Sequence, residues 1–195
     1  MTEPIKLNLK IYQGSTFTQV LRWESSTRVY VPITQITKSA PVVVTAVNHN
    51  IPVGWRARVT NAGGMKEINL LDYNVVTSTT ATTVTFNQVN SLPFTAYTSG
   101  GVLEYNQPAS LTGLTARMQL REKLTSTAVL HELTTTNGGV VFDNTLKTMT
   151  LTIPAAATTL FNFTSAVYAL EFIEASGTVI PFAKGNALLE REVTR

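Results

Sequence analysis

Short runs in which apolar and polar residues alternate recur from one end of the chain to the other. The clearest are residues 5–11 (IKLNLKI), 114–121 (LTARMQLR) and 149–153 (MTLTI). A period of two sends successive side chains to opposite faces of a strand, so each run predicts a strand with one buried face and one solvated face. Because half-buried strands are typical of antiparallel sheets, the pattern predicts an all-β protein.

The composition is typical of a folded globular protein. The 195 residues are 44% hydrophobic and 14% charged, which is less polar than disordered chains are. There is no cysteine, which excludes disulfides and thiolate metal sites. The net charge is +3, but the basic residues are scattered singly, so we do not predict a nucleic-acid partner. No apolar run is long enough to predict a membrane helix, and we expect no membrane partner.

The pattern of apolar and polar residues changes in the middle third of the chain and then returns to that of the N-terminal part. Residues 41–106 hold about five short strands with regular turns, the first of them a continuous apolar run, which predicts a small β-barrel. Two N-terminal strands cannot close a core alone, so residues 1–32 and 108–195 are predicted to form one discontinuous domain around that barrel. The predicted fold is an antiparallel immunoglobulin-like β-sandwich interrupted by an inserted small β-barrel. Residues 154–161 predict its one short helix.

The residue types of catalysis do not converge on any motif. His49 and His131 are far apart, with no carboxylates at ligand spacing, so neither a metal site nor a cofactor is predicted. A glycosidase would need two carboxylates facing each other, and only Glu171 and Glu174 could approach Glu190 or Glu192 across strands. Ordinary charge pairing on a sheet surface explains those residues equally well. The sequence therefore predicts no catalytic residue and no enzyme.

Aromatic side chains are the candidates for a partner interface. Most fall at alternating strand positions and are expected in the core. Phe161 and Phe163 flank the predicted helical turn, and Tyr97 lies at a loop tip, so these three are predicted to contact a partner. Trp55 is a fourth candidate, as a platform on which a sugar ring could stack.

Several strings within residues 41–106 match a known module. They are VVTA (43–46), RVT (58–60), GGMKEIN (63–69), YNV (73–75) and TAYTSGG (95–101). They resemble a module common in tailed-phage virion proteins, which is labelled after the first catalytic cysteine half-domain of ubiquitin-activating enzymes. The last string is the most specific, and the label implies no ubiquitin chemistry.

The flanking parts carry a second resemblance. The strings are QGSTF (13–17), LTGLTARMQLR (111–121), NGG (137–139), VYALEF (167–172) and EVTR (192–195). They resemble the N-terminal sandwich domain of lactococcal-phage baseplate upper proteins.

Together the resemblances imply a non-enzymatic structural component of a tailed bacteriophage virion, assembled in the host cytoplasm. Its expected place is an adaptor at the baseplate, tail tip or neck that docks on neighbouring virion proteins and could anchor fibres. A symmetric homo-oligomer in the particle is expected with it. Two alternatives stay open: a carbohydrate- or receptor-binding module of the tail, and a capsid decoration protein.

Overall fold

The computed structural model of the chain describes residues 3–192, and in that range the fold is all-β with one short α-helix, as predicted. The strands before the middle third are β1 (Ile5–Lys6), β2 (Leu9–Tyr12) and β3 (Phe17–Arg22). Those of the middle third are β4 (Glu24–Pro32), β5 (Gln35–Ile36), β6 (Val42–Thr45), β7 (Arg56–Gly63), β8 (Asn74–Val75), β9 (Ser78–Thr79), β10 (Thr83–Phe86) and β11 (Ser99–Pro108). The remainder are β12 (Thr115–Arg121), β13 (His131–Thr134), β14 (Val140–Asp143), β15 (Thr148–Ile153), β16 (Ser165–Ile173) and β17 (Val179–Glu190), with helix α1 (Ala155–Thr159).

The chain divides into two compact units. The first comprises the residues up to 22, residues 110–144 and the residues from 148 onward; the second comprises residues 23–109 and 145–147. The predicted boundary at residue 32 is wrong for the segment 24–32. That segment is strand β4, which pairs along its length with β11 and so contributes to the second unit.

The first unit is a two-sheet sandwich. Its larger sheet has the order β1-β17-β16-β12-β13, with β2 also pairing β17, and its smaller sheet has the order β14-β15-β3. Among the residues of this unit that the structure describes, only β1 and β2 pair in parallel with their neighbour, and the other pairings are antiparallel. Met118 and Leu170 of the larger sheet and Leu151 of the smaller one are fully buried. Phe142 and Phe172 pack ring to ring across the two sheets, with centroids 5.8 Å apart.

The alternating run at residues 5–11 does not form the single strand that its pattern predicts. It breaks at Leu7 and Asn8, between β1 and β2. The Leu7 carbonyl accepts a hydrogen bond from the Tyr168 hydroxyl at 2.6 Å. The Asn8 side-chain oxygen accepts one from the backbone N–H of Asn186 at 3.0 Å. Side chains therefore take over two ladder positions that a continuous strand would have filled from its backbone.

The second unit is a barrel made of two four-stranded sheets that share both edges. The sheet orders are β4-β11-β7-β8 and β5-β6-β10-β9. The chain passes directly from β4 into β5, where the Ile33 and Thr34 amides donate to opposite neighbours, the carbonyls of Gly101 and Thr45. It passes likewise from β8 into β9, where the Val76 amide donates to the Trp55 carbonyl. The two bent strands complete the ring, and closure leaves no open sheet edge around the barrel within residues 23–109.

Inward-facing side chains fill the interior of the barrel. Its fully buried members are Val42, Val44, Ala46, Trp55, Ala57, Met65, Val76, Val84 and Leu103. A 3-10 helix, Lys66–Leu70, follows β7 and buries Ile68 against this core. The alternating pattern does not indicate this helix, since one buried residue in five carries no periodic signal.

Candidate interaction surfaces

Trp55 lies inside the barrel and not on its surface. Its side chain is 0% exposed, and its indole Nε1 donates a hydrogen bond to the Asn106 carbonyl at 2.8 Å. The expectation that Trp55 contacts a partner is therefore wrong. The same period of two that sends Arg56 and Arg58 outward places Trp55 with Ala57 on the inner face. The alternating pattern therefore predicts that Trp55 is buried.

Phe161 is also buried, which corrects the second expected contact. Its ring packs edge-on against His131 at 5.4 Å and against Phe163 at 5.2 Å, and its carbonyl accepts a hydrogen bond from the Gln13 side chain at 2.8 Å. Desolvation lowers the pKa of His131 below its ordinary value. This cluster joins the end of α1 to the turn between β2 and β3 and has a structural role.

Phe163 and Tyr97 are half-buried, so part of each ring faces solvent. The Tyr97 hydroxyl donates to the carbonyls of Gly100 and Ile33, at 2.9 and 3.2 Å. Its ring packs against the barrel core. The predicted partner contacts of these two residues remain predictions.

A charged network covers one face of the barrel. Glu104 on β11 is 3% exposed and is held from three sides. Arg58 on the adjacent strand β7 donates through two nitrogens at 3.0–3.1 Å, Arg28 on β4 donates at 2.6 Å, and the Tyr73 hydroxyl donates at 2.8 Å. The Arg58 guanidinium also lies over the Tyr73 ring, 5.0 Å from its centroid.

The network keeps Glu104 ionised despite its burial. Desolvation is the largest single influence and would raise the pKa of Glu104. The hydrogen bonds from Tyr73 and Arg58, with the charges of Arg58 and Arg28, together outweigh it, so the pKa lies below its ordinary value. The carboxylate has neither the raised pKa of a general acid nor an open side toward a substrate. Its arrangement joins β4, β7 and β11.

The surface with unpaired charge lies on the outer face of the larger sheet of the first unit. Two adjoining depressions of about 270 and 320 Å³ share Leu124, Val167, Tyr168 and Lys184 in their lining. We call them together the sheet groove. Their remaining lining residues are Lys6, Asn8, Arg117, Gln119, Arg121, Ala169, Glu171, Gly185 and Asn186.

The sheet groove is cationic. Four cations and one carboxylate line it, which gives a net charge of +3 at neutral pH. The carboxylate, Glu171, is paired with Arg117. Arg121 donates to the carbonyls of Ser126 and Thr127, each at 2.7 Å, so its charge has no anionic partner among residues 3–192.

Two lysines of the groove lie side by side. Lys6 and Lys184 are direct partners in the parallel register of β1 and β17, and both line the same depression. Within the described part of the chain neither ammonium has a hydrogen bond or an ion pair. Sequence reasoning missed this pair because 178 positions separate the two residues, and only the parallel pairing of two distant strands brings them together.

The most specific strings of the virion-module resemblance meet in the barrel. The backbone of Thr98 donates to the Gly63 carbonyl at 3.0 Å, which joins TAYTSGG to GGMKEIN. The Glu67 carboxylate accepts from the backbone and the hydroxyl of Thr95, at 2.9 and 2.8 Å. These strings therefore build the fold. Of the EVTR string, residues 193–195 lie outside the described residues.

Residues 3–192 contain no group of three or more His, Asp or Glu side chains placed to bind a metal ion. None of the helices there is long and apolar enough to cross a membrane. No protein-family model matches the chain, and no curated protein matches it either.

Proposed function

We propose that this chain is a non-enzymatic structural component of a tailed-phage virion, an adaptor at the baseplate, tail tip or neck that docks on neighbouring proteins. The observation that carries the proposal is the sheet groove, a cationic surface on the outer face of the β-sandwich. The resemblance of both parts of the chain to virion proteins supports the same role.

Exposed apolar side chains support docking. Leu124 on the rim of the groove is 89% exposed, and Leu160 at the end of α1 is 81% exposed. Covering one such side chain completely is worth about 1.5–3 kcal/mol. A few contacts of this size make a weak interface, but copies arranged by the symmetry of a tail act together and gain avidity.

The alternative of a sugar-binding module has less support. A sugar ring would stack on an exposed aromatic side chain such as Trp55 or Tyr97. Trp55 is enclosed, however, and Tyr97 has its hydroxyl bound to two carbonyls. A hydrolase has less support still. Of the carboxylates considered for it, Glu171 is paired with Arg117 and Glu190 with Lys10. Capsid decoration differs from the adaptor role in position only.

Quantitative mass spectrometry of gradient-purified particles tests the proposal. We expect the chain to co-purify with the major structural proteins at a fixed copy number that is a multiple of the symmetry of the tail. Recovery of the chain only from the soluble lysate, with none in the particles, would contradict the proposal. A glycan array run on the purified chain and on Tyr97→Ala separates the sugar-binding alternative, which requires a signal that the substitution removes.

A further inference from the structure

We propose that the sheet groove binds an extended, acidic segment of a neighbouring protein, with carboxylates at Lys6 and Lys184 and an apolar side chain against Leu124. The inference rests on the proposed function only for the statement that the neighbour is a virion protein. The groove itself, its charge and its lining are properties of the first unit alone.

The shape of the groove follows from small residues in the middle of the sheet. Lys184 lies opposite Ala169 in the β16–β17 register, and Gly185 follows it. Ala169 lines one of the two depressions and Gly185 lines the other, so the groove is low where these small residues lie. Gly185 cannot be enlarged, because a Cβ there would overlap the Leu7 carbonyl. The low floor is therefore tied to the pairing of β17 with the N-terminal strands.

The charge of the groove is unfavourable in the free protein. Like charges directly opposite each other on neighbouring strands destabilise a sheet. Lys6 and Lys184 stand in that relation, with no carboxylate among residues 3–192 bonded to either. An anionic ligand reverses the sign of the interaction, since one carboxylate between two ammonium groups is attracted by both. Charge complementarity thus selects an acidic occupant.

The lining is apolar as well as basic, which selects the kind of acidic occupant. Leu124 on the rim and Val167 on the floor contribute apolar surface next to the lysines. A segment in which acidic and apolar residues occupy every second position satisfies both features when it is extended, because side chains two positions apart share one face. Carboxylates on that face can meet the lysines while apolar side chains cover Leu124.

Other occupants fit the groove less well. A sugar ring would need an exposed aromatic face, but Tyr168 is 4% exposed, and burial raises the pKa of its hydroxyl to about 12. Nucleic acid matches the positive charge but gains nothing from an exposed leucine. A second copy of the chain has a net charge of +3, so it does not bring the excess of carboxylates that the groove selects.

The test uses the full-length protein and a dye-labelled peptide of about eight residues, in which Glu and Leu take turns at every second position and Ser fills the positions between them. The peptide spans roughly 26 Å when extended. Fluorescence anisotropy measures its affinity for the wild type and for the double variant Lys6→Gln/Lys184→Gln. The matched control is Lys38→Gln/Lys66→Gln, which removes the same net charge from exposed positions of the second unit. A second peptide replaces every Glu by Gln, and unfolding midpoints establish that each variant is folded.

We expect saturable binding that weakens with salt and that falls about tenfold or more in the groove variant but not in the control. Backbone amide resonances of Ala169 and Gly185 should shift during the titration, which a bulk charge effect would not cause. Equal affinity for the Gln peptide, equal losses in both double variants, or no saturable binding would each overturn the inference. Tighter binding of a short DNA duplex or a sulfated oligosaccharide through the same two lysines would overturn the choice of a peptide. All these outcomes are obtained without particles, so they are independent of the mass-spectrometric test.

Discussion

Glu104 carries a negative charge where water scarcely reaches, and its neighbours make that possible. Arg58, Arg28 and Tyr73 donate every hydrogen bond that the structure gives its carboxylate. Three segments of chain are thereby bonded to one side chain of a fourth segment, strand β11. The free energy of the barrel should depend on this residue more than on any surface pair.

Replacing Glu104 by Gln tests that dependence. We expect the variant to lose about 1.5–3 kcal/mol of unfolding free energy at pH 7, because hydrogen bonds to a charged group are replaced by weaker ones and Arg58 loses its counter-ion. Urea denaturation measures the loss. The matched control is Glu190→Gln, which removes a carboxylate from an ion pair exposed on both sides and should change stability far less. Equal losses in the two variants would contradict the assigned role.

The same carboxylate predicts a pH dependence. Its pKa is lower in the folded protein than in the unfolded chain, so the folded state binds the proton less readily. The stabilisation is therefore fully present above the ordinary Glu pKa of about 4.3 and is lost as the pH falls through the lowered value. The unfolding free energy of both proteins is measured from pH 6 downward. Below about pH 4.5 it should fall more steeply in the wild type than in Glu104→Gln. Parallel curves would contradict the lowered pKa.

Gly64 is required because it lies in the string GGMKEIN and comes close to Ala96 of the string TAYTSGG. Its φ is +76°, and a Cβ would overlap the Ala96 carbonyl. Gly113 has a φ of +77° but open space around it, so replacing it measures the cost of the left-handed backbone conformation alone. We expect Gly113→Ala to cost about 1–2 kcal/mol from the left-handed conformation alone, and Gly64→Ala to cost clearly more. Thermal and urea unfolding of the two variants give the comparison; equal effects would show that the close approach is absent.

At the scale of strands, the pairing of β1 with β17 places Lys6 against Lys184. Exchanging one of them for an acid turns a repulsive cross-strand pair into an attractive one. We expect Lys184→Glu to raise the unfolding free energy by about 0.2–1 kcal/mol, and to abolish binding of the acidic peptide. Lys66→Glu in the second unit is the control for the change in net charge. A loss of stability in Lys184→Glu would contradict the proximity of the two lysines.

A strand could be predicted from the sequence where its own residues determine it, and could not where a distant part of the chain does. The alternating runs at 114–121 and 149–153 became β12 and β15, because burial of one face needs only the residues of the strand itself. The break at Leu7 could not be predicted, since it depends on Tyr168 and Gly185, far along the chain. The assignment of β4 to the barrel likewise depends on its partner β11.

The interaction surfaces illustrate the same limit. Aromatic content suggested Trp55 and Phe161, yet both contribute to cores, as large apolar side chains usually do. The sheet groove uses residues that looked like ordinary solvated charges in the sequence. Lys6, Arg117 and Lys184 become one surface only after strands from both ends of the chain pair with each other.

For the whole molecule, the two units have separate compact cores. We expect Leu170→Ala in the sandwich to lower the stability of the first unit by about 2–5 kcal/mol. Hydrogen exchange followed residue by residue should then show faster exchange in β12 and β16, while β6 and β10 of the barrel keep their protection. Val84→Ala in the barrel is the reciprocal variant. Uniform acceleration across both units would mean that they unfold as one.

Gold-labelled antibody against the chain, imaged on intact particles by electron microscopy, tests the central claim most directly. The account predicts label at a single place on the tail, at the baseplate, the tip or the neck, with equal density from particle to particle. Unlabelled particles, while the same antibody detects the chain free in the lysate, would contradict a structural role in the virion.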